Sequence, residues 1–247
     1  MRTRNLHAVV LVAGRGERLR PFTSALPKCL VHVGGKRILG RTLEILKRER
    51  IRRIVFVTGY RSAKIERFVR QEFPTMPVAF VHNPFYYRTN TLYSLWLSRA
   101  AVHGKPFLLL DGDLVFVRQI IERLLSAPSG NCLACDGSRR IDSEAVCVAG
   151  TRRGRVQLIG KRITASGTSL GESIGMAKFD GKFSRMLFDI ATSLLGKRGS
   201  RGLYYEAAFQ QMIHGGAEIQ ALDIRGKKWT EIDTKTDLRR ARALFRD

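Results

Sequence analysis

Leu11-Val-Ala-Gly-Arg-Gly-Glu-Arg-Leu-Arg-Pro21, followed by Thr23 and Pro27-Lys28-Cys-Leu30, decides how the rest of the chain is read. Upstream of it, Ala8 to Val12 is a continuous apolar run, the pattern of a strand buried on both faces. Glycines end that strand, and successive backbone N–H groups in such a turn can wrap an anion. Arg15, Arg18 and Lys28 crowd three cations around it. Two familiar nucleotide motifs fail on spacing. A dinucleotide fingerprint needs glycine where Leu19 stands, and no Gly-Lys pair has the flanking residues of a Walker A loop.

Outward from this turn, short apolar runs alternate with amphipathic helical patterns, the signal of βαβ units in a parallel sheet. Strands are expected at 53–58, 77–82 and 107–110, and helices at 38–46 and 62–73, with an apolar stripe through Leu92, Leu95, Trp96 and Ala100. The second half is less regular. Strands are expected near 131–135, 144–149, 155–159, 173–179, 217–224 and 228–232, and helices near 117–126, 181–195, 204–214 and 235–246. Residues 136–142 and 164–171 look like excursions over the sheet.

Composition narrows the classes. The 247 residues are 44% hydrophobic and 26% charged, ordinary for a globular chain and long enough to bury a core without staples. The 44 basic residues outweigh 21 acidic ones for a net charge of +23, and Arg outnumbers Lys 32 to 12. Guanidinium forks favour phosphate and carboxylate partners. The arginines are spread along the chain without forming one arm or stripe, so nucleic-acid binding is the disfavoured alternative. No apolar run reaches the ~20 residues of a membrane span, and no export signal is evident, so a cytoplasmic protein is expected. Cys132-Leu-Ala-Cys135 lacks a second ligand pair for zinc and reads as buried strand with its thiols on opposite faces.

The glycine-turn stretch resembles the signature of the nucleotidyltransferases that make activated sugars and alcohols from a nucleoside triphosphate. Gly14, Gly16, Arg18, Leu19, Pro21, Thr23, Pro27, Lys28 and Leu30 carry it. Asn83-Pro84, Thr89-Asn90-Thr-Leu-Tyr-Ser94-Leu95, Leu158-Ile-Gly-Lys161, Gly171-Glu172-Ser-Ile-Gly175, Tyr205-Glu206 and Trp229-Thr-Glu-Ile-Asp233 are most similar to the phosphocholine cytidylyltransferase branch and its phosphonate-using relatives. The resemblance implies a single α/β domain, with a Rossmann-like, mostly parallel but mixed sheet and helices on both faces. Residues 1–115 would hold the nucleotide, and 116–247 would hold the acceptor and complete a metal site. A homodimer is left open.

The site residues follow from both readings. Asp113 closes a strand at its carboxyl end, where open α/β sheets place ligands, and Asp233 closes a late strand. Together they could hold Mg²⁺, which takes hard carboxylate oxygens alongside phosphates and water. Asp233 could instead cap the last helix, and Asp111 could fix a turn. Leu11, Ala13, Gly14, Arg15, Gly16, Asn90, Ser94 and Asp111 are the candidate nucleotide contacts. Asn90 could equally be a plain N-cap or offer a donor and acceptor to a base edge. Arg18, Lys28 and Lys161 are the candidate catalytic cations, and by resemblance Lys161 holds the acceptor's phosphate. Glu172, Tyr205 and Glu206 are the candidate acceptor contacts. If the acceptor carries a quaternary ammonium, Phe85, Tyr86, Tyr87, Tyr204 and Trp229 are further aromatic faces for it. Many relatives carry a lysine after a glutamate where this chain reads Glu144-Ala-Val-Cys147. The implied reaction moves CMP from CTP to a small phosphate- or phosphonate-bearing acceptor such as phosphocholine. A sugar- or inositol-1-phosphate nucleotidyltransferase is the alternative.

Overall fold

The structure, a computed structural model, describes residues 5–138, 145–161, 163 and 168–246. The apolar run becomes strand β1 (His7–Val12) at the centre of a sheet. Its residues alternate between two cores. Ala8, Val10 and Val12 face one side, while Val9 and Leu11 face the other. A tight hairpin of β2 (His32–Val33) and β3 (Lys36–Arg37) follows, then α1 (Ile38–Arg48), β4 (Arg53–Thr58), α2 (Ser62–Glu72) and β5 (Val78–His82). Next come α3 (Thr91–Leu97), α4 (Arg99–Val102) and β6 (Phe107–Asp111). β6, β1, β4 and β5 lie side by side and all parallel, as strands joined by crossover helices do.

The second half contributes β7 (Leu114–Phe116), α5 (Gln119–Ser126), β8 (Cys132–Asp136), β9 (Cys147–Gly150), β10 (Val156–Gly160) and the long β11 (Thr168–Phe179). The chain ends with α6 (Gly181–Leu195), α7 (Glu206–His214), β12 (Gln220–Asp223), β13 (Trp229–Glu231) and α8 (Lys235–Leu244). β11 turns the sheet mixed, pairing antiparallel with β6, β8 and β9. Helices α1, α2 and α5 cover one face, and α3, α4, α6 and α7 the other. Each buried Leu, Ile or Phe in these layers contributes ~1.5–3 kcal/mol of transfer free energy. Cys132 and Cys135 fall in opposite cores, so the C-x-x-C spacing reflects strand alternation.

The sequence expectation omits the short strands β2, β3 and β7 and starts β11 too late. β11 begins at Thr168, five residues early, because Ser, Gly and Thr there pair with β9 along the sheet's outer part. β7 pairs with β13, which lies within the strand expected near 228–232, in a separate two-stranded sheet. Glu144, residues 139–142 of the first expected excursion and 164–167 of the second lie outside the described residues. No helix among the described residues is long and apolar enough to cross a membrane.

Candidate active site

The opening turn is built around Gly16, whose φ of 60° lies in the left-handed region that side chains disfavour. A Cβ there would come within 3.0 Å of Lys28 Cβ and 3.1 Å of Thr23 Cγ2. The turn therefore packs directly on the stem of Lys28, and Thr23 Oγ1 donates to the Gly16 carbonyl at 2.7 Å.

β7 and β13 explain how two distant acids meet. β13 pairs with β7, and the Ile232 N–H donates to the Asp113 carbonyl at 3.1 Å. This places Asp233 beside Asp113. Lys28 Nζ lies between them, 2.6 Å from Asp113 Oδ2 and 2.7 Å from Asp233 Oδ1. Arg18 Nη2 reaches the other oxygen of Asp233 at 2.8 Å. Asp233 is not the cap of α8. Thr234 takes that place and forms a capping box with Asp237, leaving the Asp233 carboxylate to the cavity.

Sequence reading missed Glu231. Two residues apart on one extended segment, Glu231 and Asp233 project to the same side, and carboxylate oxygens of Asp113, Glu231 and Asp233 lie within 4.8 Å of one another. Asp113 Oδ1 is buried with no hydrogen-bond partner among the described residues. A set of hard oxygens with one buried lone oxygen fits Mg²⁺. Burial, then the Asp113 and Asp233 carboxylates, push the Glu231 carboxyl up, even though much of the residue faces solvent. Burial also opposes the charge of Asp233, but Lys28 outweighs it and holds Asp233 below its ordinary range. Burial likewise disfavours the Lys28 ammonium, and Asp113 and Asp233 override it to keep Lys28 firmly protonated.

Asp111 ends β6 against β11. Tyr205 donates a 2.9 Å hydrogen bond to its Oδ2, while Oδ1 has no partner among the described residues. Gly175 lies under this carboxylate with φ 72°, and a Cβ there would collide with Asp111 Oδ2. Burial, followed by Asp113 and Glu206, raises the Asp111 carboxyl well above the carboxylate range. Glu206 at the start of α7 is buried too, and desolvation pushes it to about 7.

One cavity of about 590 Å³ gathers these groups at the carboxyl ends of β1 and β6. Of the sequence candidates, Leu11, Ala13, Gly14, Gly16, Arg18, Lys28, Asn90, Ser94, Asp111, Asp113, Lys161, Glu172, Tyr205, Glu206 and Asp233 all line it. Arg15 does not. It pairs with Glu17 at 3.0 Å on the surface. Asn90 is an N-cap, accepting from Thr91 N at 2.9 Å, and also faces the cavity. Ser94 Oγ accepts from Asn83 Nδ2 at 3.1 Å. Tyr86 and Tyr204 line the cavity, but Phe85, Tyr87 and Trp229 do not. Trp229 is a packing residue whose indole N–H donates to buried Asp136 at 2.7 Å. Trp96 is only partly buried, beneath the Arg99 guanidinium at 3.5 Å.

The sequence profile of the MobA-like NTP transferase domain matches residues 8–209. The chain belongs to that family. A CMP-5'-(3-aminopropyl)phosphonate synthase of Streptomyces rubellomurinus is 30% identical over 97% of this chain. This NTP transferase domain spans only 39% of that protein's length. A CTP:phosphoglutamine cytidylyltransferase of Campylobacter jejuni is 24% identical, covering 94% of this chain and 98% of its own. In fold, the domain is similar to the inositol-1-phosphate CTP transferase from T. maritima, with a TM-score of 0.79, 22% identity, and 96% and 93% of the two chains covered. Within this NTP transferase, the opening-turn cations and the carboxylate cluster share one end of the cavity, and Lys161, Glu172 and Glu206 also line it.

Proposed function

We propose that the protein transfers CMP from CTP to a small acceptor bearing a phosphate or phosphonate, of the phosphocholine or aminoalkylphosphonate type, and releases pyrophosphate. The observation that carries this reading is the meeting of Arg18 and Lys28 with Asp113 and Asp233 at the mouth of the glycine turn. An acceptor phosphate oxygen attacks the α-phosphorus in line. A new P–O bond forms there as the bond to the bridging oxygen breaks, and pyrophosphate carries that oxygen away. A phosphate monoester is already largely dianionic at neutral pH, its second pKa being ~6, so no general base is required. Catalysis is then positioning and charge neutralisation.

Each residue has a part. Gly14 and Gly16 present backbone N–H groups to the triphosphate, and Arg18 and Lys28 neutralise charge on the departing pyrophosphate. Asn90 and Ser94 face the base, and Asp111 and Leu11 form the floor beneath it. Asp113 and Asp233, with Glu231, would hold Mg²⁺, which supplies Lewis-acid charge to the reacting phosphate when bound. Lys161 orients the acceptor's phosphate. Glu172, Glu206 and the Tyr204 and Tyr205 rings offer anionic and aromatic contacts to a cationic group on the acceptor. Names of the relatives support cytidine and a phosphorus acid bearing an amine.

The test is a panel of four nucleoside triphosphates against phosphocholine, 2-aminoethylphosphonate, glucose-1-phosphate and inositol-1-phosphate, read by pyrophosphate release and product mass. Turnover confined to CTP with an amine-bearing acceptor is expected, abolished by EDTA and restored by Mg²⁺. Turnover with a sugar phosphate alone would overturn the acceptor assignment.

A further inference from the structure

Lys28 occupies the position that a divalent cation would claim. Its ammonium is held by two short ion pairs to Asp113 and Asp233, and those residues with Glu231 make up the metal-type cluster among the described residues. Carboxylates packed this closely cannot all ionise without a cation between them. In this structure a side chain supplies that charge, and it is well fixed, with the Lys28 side chain only 14% exposed. The same side chain is also rooted at the phosphate turn, because its Cβ lies against Gly16. Its ammonium can therefore trade carboxylate oxygens for phosphate oxygens by rotating about its own torsions.

We propose that Lys28 is a resident cation that keeps the metal site closed until a triphosphate arrives. Phosphate oxygens draw the ammonium out of the carboxylate cluster, and the freed oxygens of Asp113 and Asp233 become available to a divalent cation. Binding of metal is thereby conditional on binding of nucleotide. A free divalent cation has to compete with a charge already in place, whereas the nucleotide brings the anions that take that charge over. The inference rests on the nucleotidyl-transfer reading for the identity of the polyanion, but its core claim concerns the protein and the metal alone.

The experiment is calorimetric titration of Mn²⁺ into wild type and Lys28→Met, each with and without a non-hydrolysable CTP analogue, with a thermal melt to confirm folding. Lys28→Met preserves stem length and removes the charge. The variant is expected to bind Mn²⁺ alone about tenfold or more tightly than wild type does, and wild type is expected to gain about tenfold on adding the analogue. A variant that binds Mn²⁺ within about threefold of wild type would overturn the proposal. So would wild type binding Mn²⁺ equally well with and without bound analogue, a comparison that stands even if the variant does not fold. Failure of the analogue to bind wild type at all would sink the nucleotidyl-transfer reading instead, and the Mn²⁺ affinity of Lys28→Met alone would still decide the role of Lys28.

Discussion

The phenol of Tyr205, just before α7, donates to Oδ2 of Asp111 at the end of β6 and ties the helical layer to the centre of the sheet. Both groups are in the cavity wall, and the other Asp111 oxygen has no partner among the described residues. Tyr205→Phe leaves a buried carboxyl with neither oxygen bonded, at a cost of ~1–3 kcal/mol. Urea denaturation is the measurement, and an unchanged midpoint would mean that water replaces the phenol. Because the cavity floor moves with Asp111, nucleotide affinity is expected to fall in the same variant.

Asp113→Asn removes one of the two anchors of Lys28 and one hard oxygen from the carboxylate cluster. Turnover is expected to fall by about a hundredfold or more, consistent with the loss of electrostatic stabilisation at a reacting phosphate. The melting temperature is expected to change little, since Lys28 keeps Asp233. Near-normal pyrophosphate release from folded Asp113→Asn would remove this residue from the chemistry.

Much of this arrangement is legible in the sequence, and the exceptions share physical causes. Strands such as β1 and β6 announce themselves because both faces are buried and the runs Ala8 to Val12 and Phe107 to Leu110 are unbroken apolar residues. β11 hides its first half because Thr168 and Ser169 are exposed and Gly171, though buried, has no side chain, so no alternation of apolar residues reports the strand there. β7 is three residues long, below the length at which alternation is visible, whereas β13, equally short, falls within the strand expected near 228–232. Arg15 shows the limit of reading charge near a glycine turn, because proximity in sequence does not set direction and Glu17 captures it. Trp229 shows the same limit for aromatics. Glu231 was within reach, since its spacing from Asp233 already puts both acids on one side of an extended segment.

Lys161 tests the acceptor end of the cavity. Its ammonium stands 5.0 Å from the centroid of the Tyr204 ring, and its charge partly opposes the upward push on Glu206. Lys161→Ala is expected to raise the KM for the acceptor about tenfold to a hundredfold, the range for losing a charge-assisted phosphate contact, with nucleotide affinity unchanged. Initial rates over both substrates, with calorimetry for the nucleotide, separate the two. A rise in the nucleotide Kd of similar size would move Lys161 to the triphosphate.

Glu206 predicts a pH dependence of stability with a definite sign. It is 8% exposed, and burial lifts its carboxyl from 4.5 to about 7. The folded protein therefore holds this proton more tightly than the unfolded chain does. The stabilising contribution is complete below about pH 4.5 and is lost as pH rises through about 7, a span worth up to ~3 kcal/mol at pH 8. Glu206→Gln keeps the neutral shape and has no proton to lose. Its stability is expected to match wild type at pH 4.5 and to exceed it by ~1–3 kcal/mol at pH 8. Urea denaturation at intervals across this range is the check. A constant difference between the two proteins at every pH would mean that Glu206 stays ionised in the folded state. In that case Lys161, not burial, governs its charge, and the carboxylate is ready for a cationic acceptor without having to shed a proton first.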